Sequence, residues 1–241
     1  MENLKPAIVI MTKVPQPGTV KTRLRPILSD DQCAELSKCF LADTVTKALN
    51  VTTKVIVAYS AIGDERSIVD LLPAPTISVK QNGNDLGERM ASAINFARSN
   101  GCSPIIVIGT DSPTLPSKIL ETALQRLAEP ATELALGGTE DGGYYLIGMK
   151  HVIPSIFQGI PWSSDKVYST TLERAAETGL SRIVELPKWY DVDTPEDLRR
   201  LFVVVDQDLD ASFTAPETCR WIAANRNLFD QFSESVCRLI G

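Results

Sequence analysis

Histidine is almost missing from this chain: of 241 residues, only His151 carries an imidazole. Metal centres built on several histidines are excluded, and a Ser-His-Asp triad would have to use that one side chain. His151 follows "LIGMK" and precedes Val-Ile-Pro, an ordinary surface or strand-end setting. Cysteine is sparse too. The five (33, 39, 102, 219, 237) are an odd number with no C-x-x-C pair, so they read as reduced thiols and not as a disulfide framework or zinc site. No apolar run approaches the roughly eighteen residues that span a bilayer. The opening "MENLKPAIVIMTK" has only a short apolar core, a first strand and not a signal peptide. A cytoplasmic location without membrane contact is expected. A net charge of −6 and a pI near 5.0 argue against nucleic-acid binding, which wants a basic face.

One local absence points the other way. Residues 3–29 contain no Asp or Glu, where 30 acids in 241 residues would place about three. The same window holds Lys5, Lys13, Lys21, Arg23 and Arg25. It reads either as a solvated cationic turn or as a small pocket for an anionic ligand. Pro15, Pro17 and Gly18 shape a tight backbone there. A P-loop is excluded, because its glycines would have to stand at Pro15 and Val20. Phosphate binding would therefore lean on Lys and Arg side chains.

Short β-rich runs alternate with helical stripes along the chain. "AIVIM" (7–11), "KVIVAYS" (54–60), "TISVKQ" (76–81), "PIIVIG" (104–109) and residues 181–186 read as strands, with "ELALGG" and "YYLIGM" bracketing the turn "TEDGG". Helices are expected from Ser29, where Ser29 and Gln32 have capping-box spacing, and around 85–99, 116–128 and 164–178, with another opening at Pro195. This alternation implies an α/β fold in three layers, a mostly parallel sheet with helices on both faces. A core of residues 1–205 is expected to precede a helical C-terminal appendage, 206–241. In such sheets ligands sit beyond the carboxyl ends of the strands. The basic loop, "GTDSP" and "YDVDTPED" each follow a strand, so parallel strands would put all three on one rim.

Each motif has a plain and a chemical reading. Asp111 of "GTDSP" either opens a turn or ligates a divalent ion on a diphosphate. "DVDTPEDL" offers Asp191 and Asp193; Asp193 is a helix cap or a second ligand. An ion here would be held by oxygen, hence Mg²⁺ or Mn²⁺ and not Zn²⁺. "GGTEDGGYYLIG" is a hairpin with an acidic tip, or a site where Glu140 and Asp141 handle a hydroxyl beside close-approaching glycines. Trp162 of "IPWSSDKV" packs on the core or stacks on a sugar ring. The Gly-bearing loop "QNGNDLGERM" touches a base or ribose, or makes an ordinary turn.

Together "KVPQPGTVKTRL", "NDLGERM", "GTDSPTLP", "EDGGYYLIG", "IPWSS" and "DVDTPEDL" resemble a bacterial glycosyltransferase-like, or nucleotide-diphospho-sugar transferase, family over residues 7–201. "KTRLRPILS" is more distantly similar to the 2-phospho-lactate guanylyltransferases. The resemblance implies a GT-A-like fold. It implies nucleotide contacts from Thr12, Lys13, Gly18, Lys21, Arg23, Asn84 and Gly87, and metal ligation by Asp111 and Asp193. Catalysis would fall to Asp141 or Glu140, with Gly142, Gly143, Tyr144 and Trp162 on the acceptor side. Two departures stand out: "TDSP" has one carboxylate where D-x-D has two, and the L-A-G-G-x-G loop of sugar nucleotidyltransferases is absent. The expected activity is metal-assisted glycosyl transfer from a nucleoside-diphosphate sugar to a small acceptor. The alternatives are nucleotidyl transfer from an NTP to a phosphorylated acid or sugar, and non-catalytic nucleotide-sugar binding. Charge reversal at Lys21 is expected to abolish nucleotide binding and spare the fold. The sequence is silent on oligomeric state.

Overall fold

The β-branched runs become strands and the striped segments become helices, as buried parallel strands and amphipathic crossovers require. The structure, a computed structural model, describes residues 4–60 and 66–229. In chain order these form β1 (Lys5–Lys13), α1 (Asp30–Val51), β2 (Val55–Ser60), α2 (Arg66–Val69), β3 (Ile77–Lys80), α3 (Leu86–Ser99), β4 (Cys102–Ile108), α4 (Ser117–Ala128), β5 (Leu134–Thr139), β6 (Tyr144–Met149), α5 (Val167–Glu177), β7 (Ile183–Trp189), α6 (Pro195–Gln207), α7 (Leu209–Thr214) and α8 (Pro216–Ala224). Cys237, the rest of the expected appendage (230–241) and the first three residues lie outside the described residues.

Among the described residues seven strands make one sheet in the order β3-β2-β1-β4-β6-β5-β7. β1 pairs in parallel with β2 and β4, and β2 with β3; β6 runs against both β4 and β5, and β7 is parallel to β5. Only β6 is reversed, so β1, β4, β5 and β7 all end on the same rim. α1 and α4 cover one face, where Leu41, Val45, Leu120 and Leu127 meet Ile8, Ile10 and Ile106. α3 and α5 cover the other, with Met90, Ile94 and Ala175 against Val9, Val107 and Ile147.

Two boundaries differ from expectation by three residues. β7 runs on to Trp189 because its pairing with β5 continues to Thr139↔Trp189. α5 starts at Val167 because Ser164 turns the chain first, accepting from Lys166 N on its hydroxyl and from Val167 N on its carbonyl. The capping box of α1 forms as its spacing predicts: Ser29 Oγ accepts from Gln32 N, and Gln32 Oε1 accepts from Ser29 N.

A third apolar cluster joins α1 to the end of the chain. Leu36 and Phe40 pack with Val192, Leu198, Phe202, Trp221, Ile222 and Phe229. Its polar anchor is Asp43, 1% exposed, which accepts from Glu217 N (2.8 Å), Thr218 N (2.9 Å) and Thr218 Oγ1 (2.6 Å) at the start of α8.

Candidate active site

The basic loop leaves β1 at Lys13 and turns through the Gln16–Thr19 region before Leu24, fully buried, pins it to the third cluster. Between these anchors Lys21 adopts left-handed backbone, φ 49°, which a side chain with a Cβ rarely takes. That conformation drives its side chain inward, leaving it 7% exposed. Lys21 Nζ donates to Val192 O (2.7 Å) and Asp193 Oδ1 (2.9 Å) and pairs with Asp111 Oδ1. One ammonium thus joins the loops after β1, β4 and β7. Val192 N donating to Asp111 O (2.8 Å) stitches the last two together.

The plain reading of Asp193 fails, because the cap of α6 is Thr194. Its Oγ1 accepts from Asp197 N, and Asp197 Oδ2 accepts from Thr194 N, which leaves the Asp193 carboxylate for Lys21. Burial works against the charge of Asp193, but Lys21 at contact distance, then Arg23 and Lys13 further out, hold its carboxyl below the usual range. Burial likewise opposes the Lys21 charge, and the two carboxylates more than compensate, so its pKa is raised.

Asp111 and Asp193 therefore aim oxygens at one point, the point the ammonium fills. Two convergent carboxylates suit a hard cation such as Mg²⁺ or Mn²⁺, whose remaining positions are commonly water and phosphate oxygens. Among the described residues no cluster of three or more metal-type side chains forms, so an ion would rely on this pair and on a ligand's phosphates. It would also have to displace Lys21.

Around this point opens a cleft of about 900 Å³. Of the residues expected at a site, Thr12, Lys13, Lys21, Arg23, Asp111, Asp193, Asp141, Gly143, Tyr144 and Trp162 line it. The others do not. Gly18 (φ 80°) turns the loop outside, with its carbonyl accepting from Arg25. Asn84 donates from both nitrogens to Glu88 at the start of α3. Gly87 is packed so closely that a Cβ would lie 2.8 Å from Phe157 and Trp162. From the same segment Leu86 and Arg89 reach the cleft instead. Glu140 points away and forms a fork with Arg200 (2.5 and 3.0 Å), whose hydrogen bond holds its carboxyl below the usual range. Gly142 lies behind the wall, where φ 91° and the neighbouring Asp165 carbonyl leave no room for a Cβ.

Asp141 remains as the hairpin's usable carboxylate. Its Oδ1 accepts from Thr139 Oγ1 (2.5 Å) and Gly143 N (3.0 Å), which fixes the side chain and leaves Oδ2 without a partner among the described residues. Asp191 stands close by. Burial first, then the charges of Asp141, Asp193 and Asp111, push its carboxyl up to about 6.

Sequence reading passed over Lys47. With Asp111 and Asp191 it lines a pit of about 80 Å³ that opens beside the cleft. Buried to 6% exposure, it donates to Pro113 O (2.7 Å) in the loop that carries Asp111. Burial pulls its pKa down to about 7 against the opposing charge of Asp43. An unfolded lysine keeps its proton to about 10.5, so between those values the unfolded chain binds more protons and stability rises with pH. From pH 7.0 to 8.5 the wild type should gain about 1.5 kcal/mol relative to Lys47→Met in urea unfolding. Parallel curves for the two proteins would refute this.

A protein-family profile described as "Uncharacterized protein conserved in bacteria (DUF2064)" matches residues 42–164, just over half of the chain. The chain belongs to this family. The DUF2064 chain superposes on a solved structure described as a "putative nucleotide-diphospho-sugar transferase" from Desulfovibrio desulfuricans G20, with TM-score 0.85 and 29% identity over 94% of this chain and 97% of that one. A cytidylyltransferase from Leptospira borgpetersenii serovar Hardjo-bovis (strain JB197) aligns with TM-score 0.55 and 15% identity over 94% and 97%. A CMP:2-keto-3-deoxy-manno-octonic acid synthetase complexed with CTP aligns with TM-score 0.53 and 16% identity over 85% and 100%. At such identities these two share the fold alone. Comparison with curated proteins gives no match. The DUF2064 chain thus has the α/β nucleotide-diphospho-sugar transferase-like fold implied by the resemblance. No helix among its described residues is long and apolar enough to cross a membrane.

Proposed function

We propose that this protein is a transferase that moves a glycosyl group from a nucleoside-diphosphate sugar to a small acceptor. One observation carries the reading. The cationic loop, with Lys13, Lys21 and Arg23, lines one cleft with Asp111 and Asp193 at the carboxyl ends of the strands, and Lys21 pairs with both carboxylates. The likeness to the Desulfovibrio "putative nucleotide-diphospho-sugar transferase" supports the same reading.

Thr12, Lys13, Lys21 and Arg23 would hold the diphosphate, and Asp111 and Asp193 a Mg²⁺ or Mn²⁺ ion. When bound, the ion would neutralise charge on the diphosphate. Asp141 Oδ2 would accept the hydrogen bond of the acceptor hydroxyl and take its proton. The acceptor oxygen bonds to the anomeric carbon as the bond from that carbon to the diphosphate oxygen breaks. The electron pair leaves with the nucleoside diphosphate, whose charge the fixed cations stabilise. Preorganised charge of this kind is commonly the largest single contribution to rate.

Thermal shift against nucleotides and nucleotide sugars, with and without Mn²⁺, tests the binding half. A ligand at a hundred times its Kd should raise Tm by roughly 5–10 °C. Incubation with acceptors should then release nucleoside diphosphate. Pyrophosphate released from an NTP would replace the reading with nucleotidyl transfer. Binding without turnover would leave a nucleotide-sugar binding protein.

A further inference from the structure

The cleft is divided by charge. Its cations come from the loop after β1 (Lys13, Lys21 and Arg23) and from α3 (Arg89, whose Nε donates to Gly83 O at 3.1 Å). Its half over β4, β6 and β5, closed by the loop before α5, carries Asp111, Asp141 and Asp165 and no Lys or Arg. Asp191 adds a further carboxylate in the adjoining pit. Among the described residues Asp141, Asp165 and Asp191 have no cationic partner; the ion pairs made by residues that line the cleft converge on Lys21, and the neighbouring Arg200 is taken by Glu140. An ion held by Asp111 and Asp193 would balance those two and leave the other three.

The positive features nearby are already committed. The first amides of α5 are used locally: Lys166 N on Ser164 Oγ (3.3 Å), Val167 N on Ser164 O (3.4 Å) and Tyr168 N on Gly142 O (2.8 Å). Lys47 at the edge of the pit holds Pro113 O and faces the charge of Asp43. A phosphate or carboxylate entering this half would meet three carboxylates and no free donor of opposite charge.

The same wall suits hydroxyls. Carboxylates accept from sugar or polyol O–H groups, and Ser163 and Ser164 lie between Asp165 and an aromatic corner. That corner is Tyr144 against Trp162, edge to face with centroids 6.4 Å apart. Trp162 is held there although its Nε1 is buried without a partner among the described residues, a desolvation cost that core packing normally avoids. Ser163 beside it is in left-handed backbone, φ 67°; such strain clusters where a site dictates geometry.

We propose that this half of the cleft is the acceptor subsite, that it takes an uncharged, hydroxyl-rich acceptor, and that it excludes phosphorylated and carboxylic ones. The inference rests on the glycosyl-transfer reading and narrows it. The test pairs each neutral acceptor with its charged partner: glycerol with glycerol 3-phosphate, and glucose with glucose 6-phosphate and glucuronate. Release of nucleoside diphosphate from UDP-, GDP- and ADP-glucose should be at least tenfold faster with the neutral member. Asp165→Lys should shrink that ratio to about twofold or less. Calorimetry on protein saturated with nucleoside diphosphate and Mn²⁺ should rank the free acceptors the same way.

A charged member that binds or reacts as well as its neutral partner overturns the inference, with or without turnover. Equal use of both members, together with a donor sugar whose extra affinity over the nucleoside diphosphate is lost in Asp165→Lys, would assign the wall to the donor and also overturn it. Loss of all turnover with the binding ranking intact counts against the transferase reading and supports the subsite.

Discussion

Lys21→Met is expected to weaken nucleotide binding at least about a hundredfold, and to strengthen Mn²⁺ binding in the absence of nucleotide about tenfold or more. The two effects share one cause. In the free protein the Lys21 ammonium offsets half the charge of Asp111 and Asp193 and fills the point on which their oxygens converge. A cation arriving alone competes with a charge that is already well placed. A nucleotide arriving with the cation offers Lys21 phosphate oxygens in exchange for the carboxylates, so wild-type nucleotide and cation should each strengthen the other's binding. Calorimetric titration of Mn²⁺, nucleotide and both together, on both proteins, decides it. If Mn²⁺ alone binds Lys21→Met no better than wild type, the exchange is refuted. Charge reversal, the cleaner test from sequence alone, is the poorer one. At 7% exposure, a glutamate at position 21 would place three carboxylates in one half-buried spot and strain the loop as well as the site.

Asp43→Asn is expected to lower unfolding free energy by about 3 kcal/mol and Tm by roughly 6–12 °C. The side chain keeps its shape, but one carboxylate oxygen becomes an N–H group facing donors. Both oxygens are in use, one by Glu217 N and the other by Thr218 N and Oγ1, so neither amide orientation satisfies all three. Lys47 would also lose the opposing charge that faces it one turn along α1. Thr218→Val removes a single donor and should cost about 1 kcal/mol, as an ordinary hydrogen bond does. Differential scanning calorimetry separates the cases; equal, small shifts for the two variants would show that the buried carboxylate does not anchor α8.

The architecture was legible because it depends on period and order. "PIIVIG" has the continuous apolar run expected of a strand buried on both faces, and strands alternating with helices put the ends of β1, β4 and β7 on one rim. That placed Lys21, Asp111 and Asp193 together before any contact was known. What the pattern could not supply was side-chain direction. Glu140 and Asp141 are adjacent, yet Asp141 faces the cleft while Glu140 turns out to Arg200, sixty positions away. Asn84 and Gly87 sit in the right segment, but the turn into α3 aims Leu86 and Arg89 at the cleft. Lys21 was assigned to phosphate alone, since nothing in a loop's composition announces a left-handed residue that swings its amine inward.

Lys47 did leave a signal. It falls in phase with Leu36, Phe40 and Asp43 on the buried stripe of α1, where a solvated lysine has no place. A lysine and an aspartate four residues apart inside an apolar stripe mark buried opposite charges, and here Lys47 lies beside the candidate site.

The close approach of Gly142 to the Asp165 carbonyl, with Tyr168 N bonded to Gly142 O, makes the hairpin tip and the loop before α5 a single mechanical part. Residues 139–143 and 161–168 are separate in sequence and inseparable in shape. A substitution that reshapes one segment must be matched in the other, so this wall of the cleft changes by paired steps, and a loop grafted in would have to bring its counterpart along.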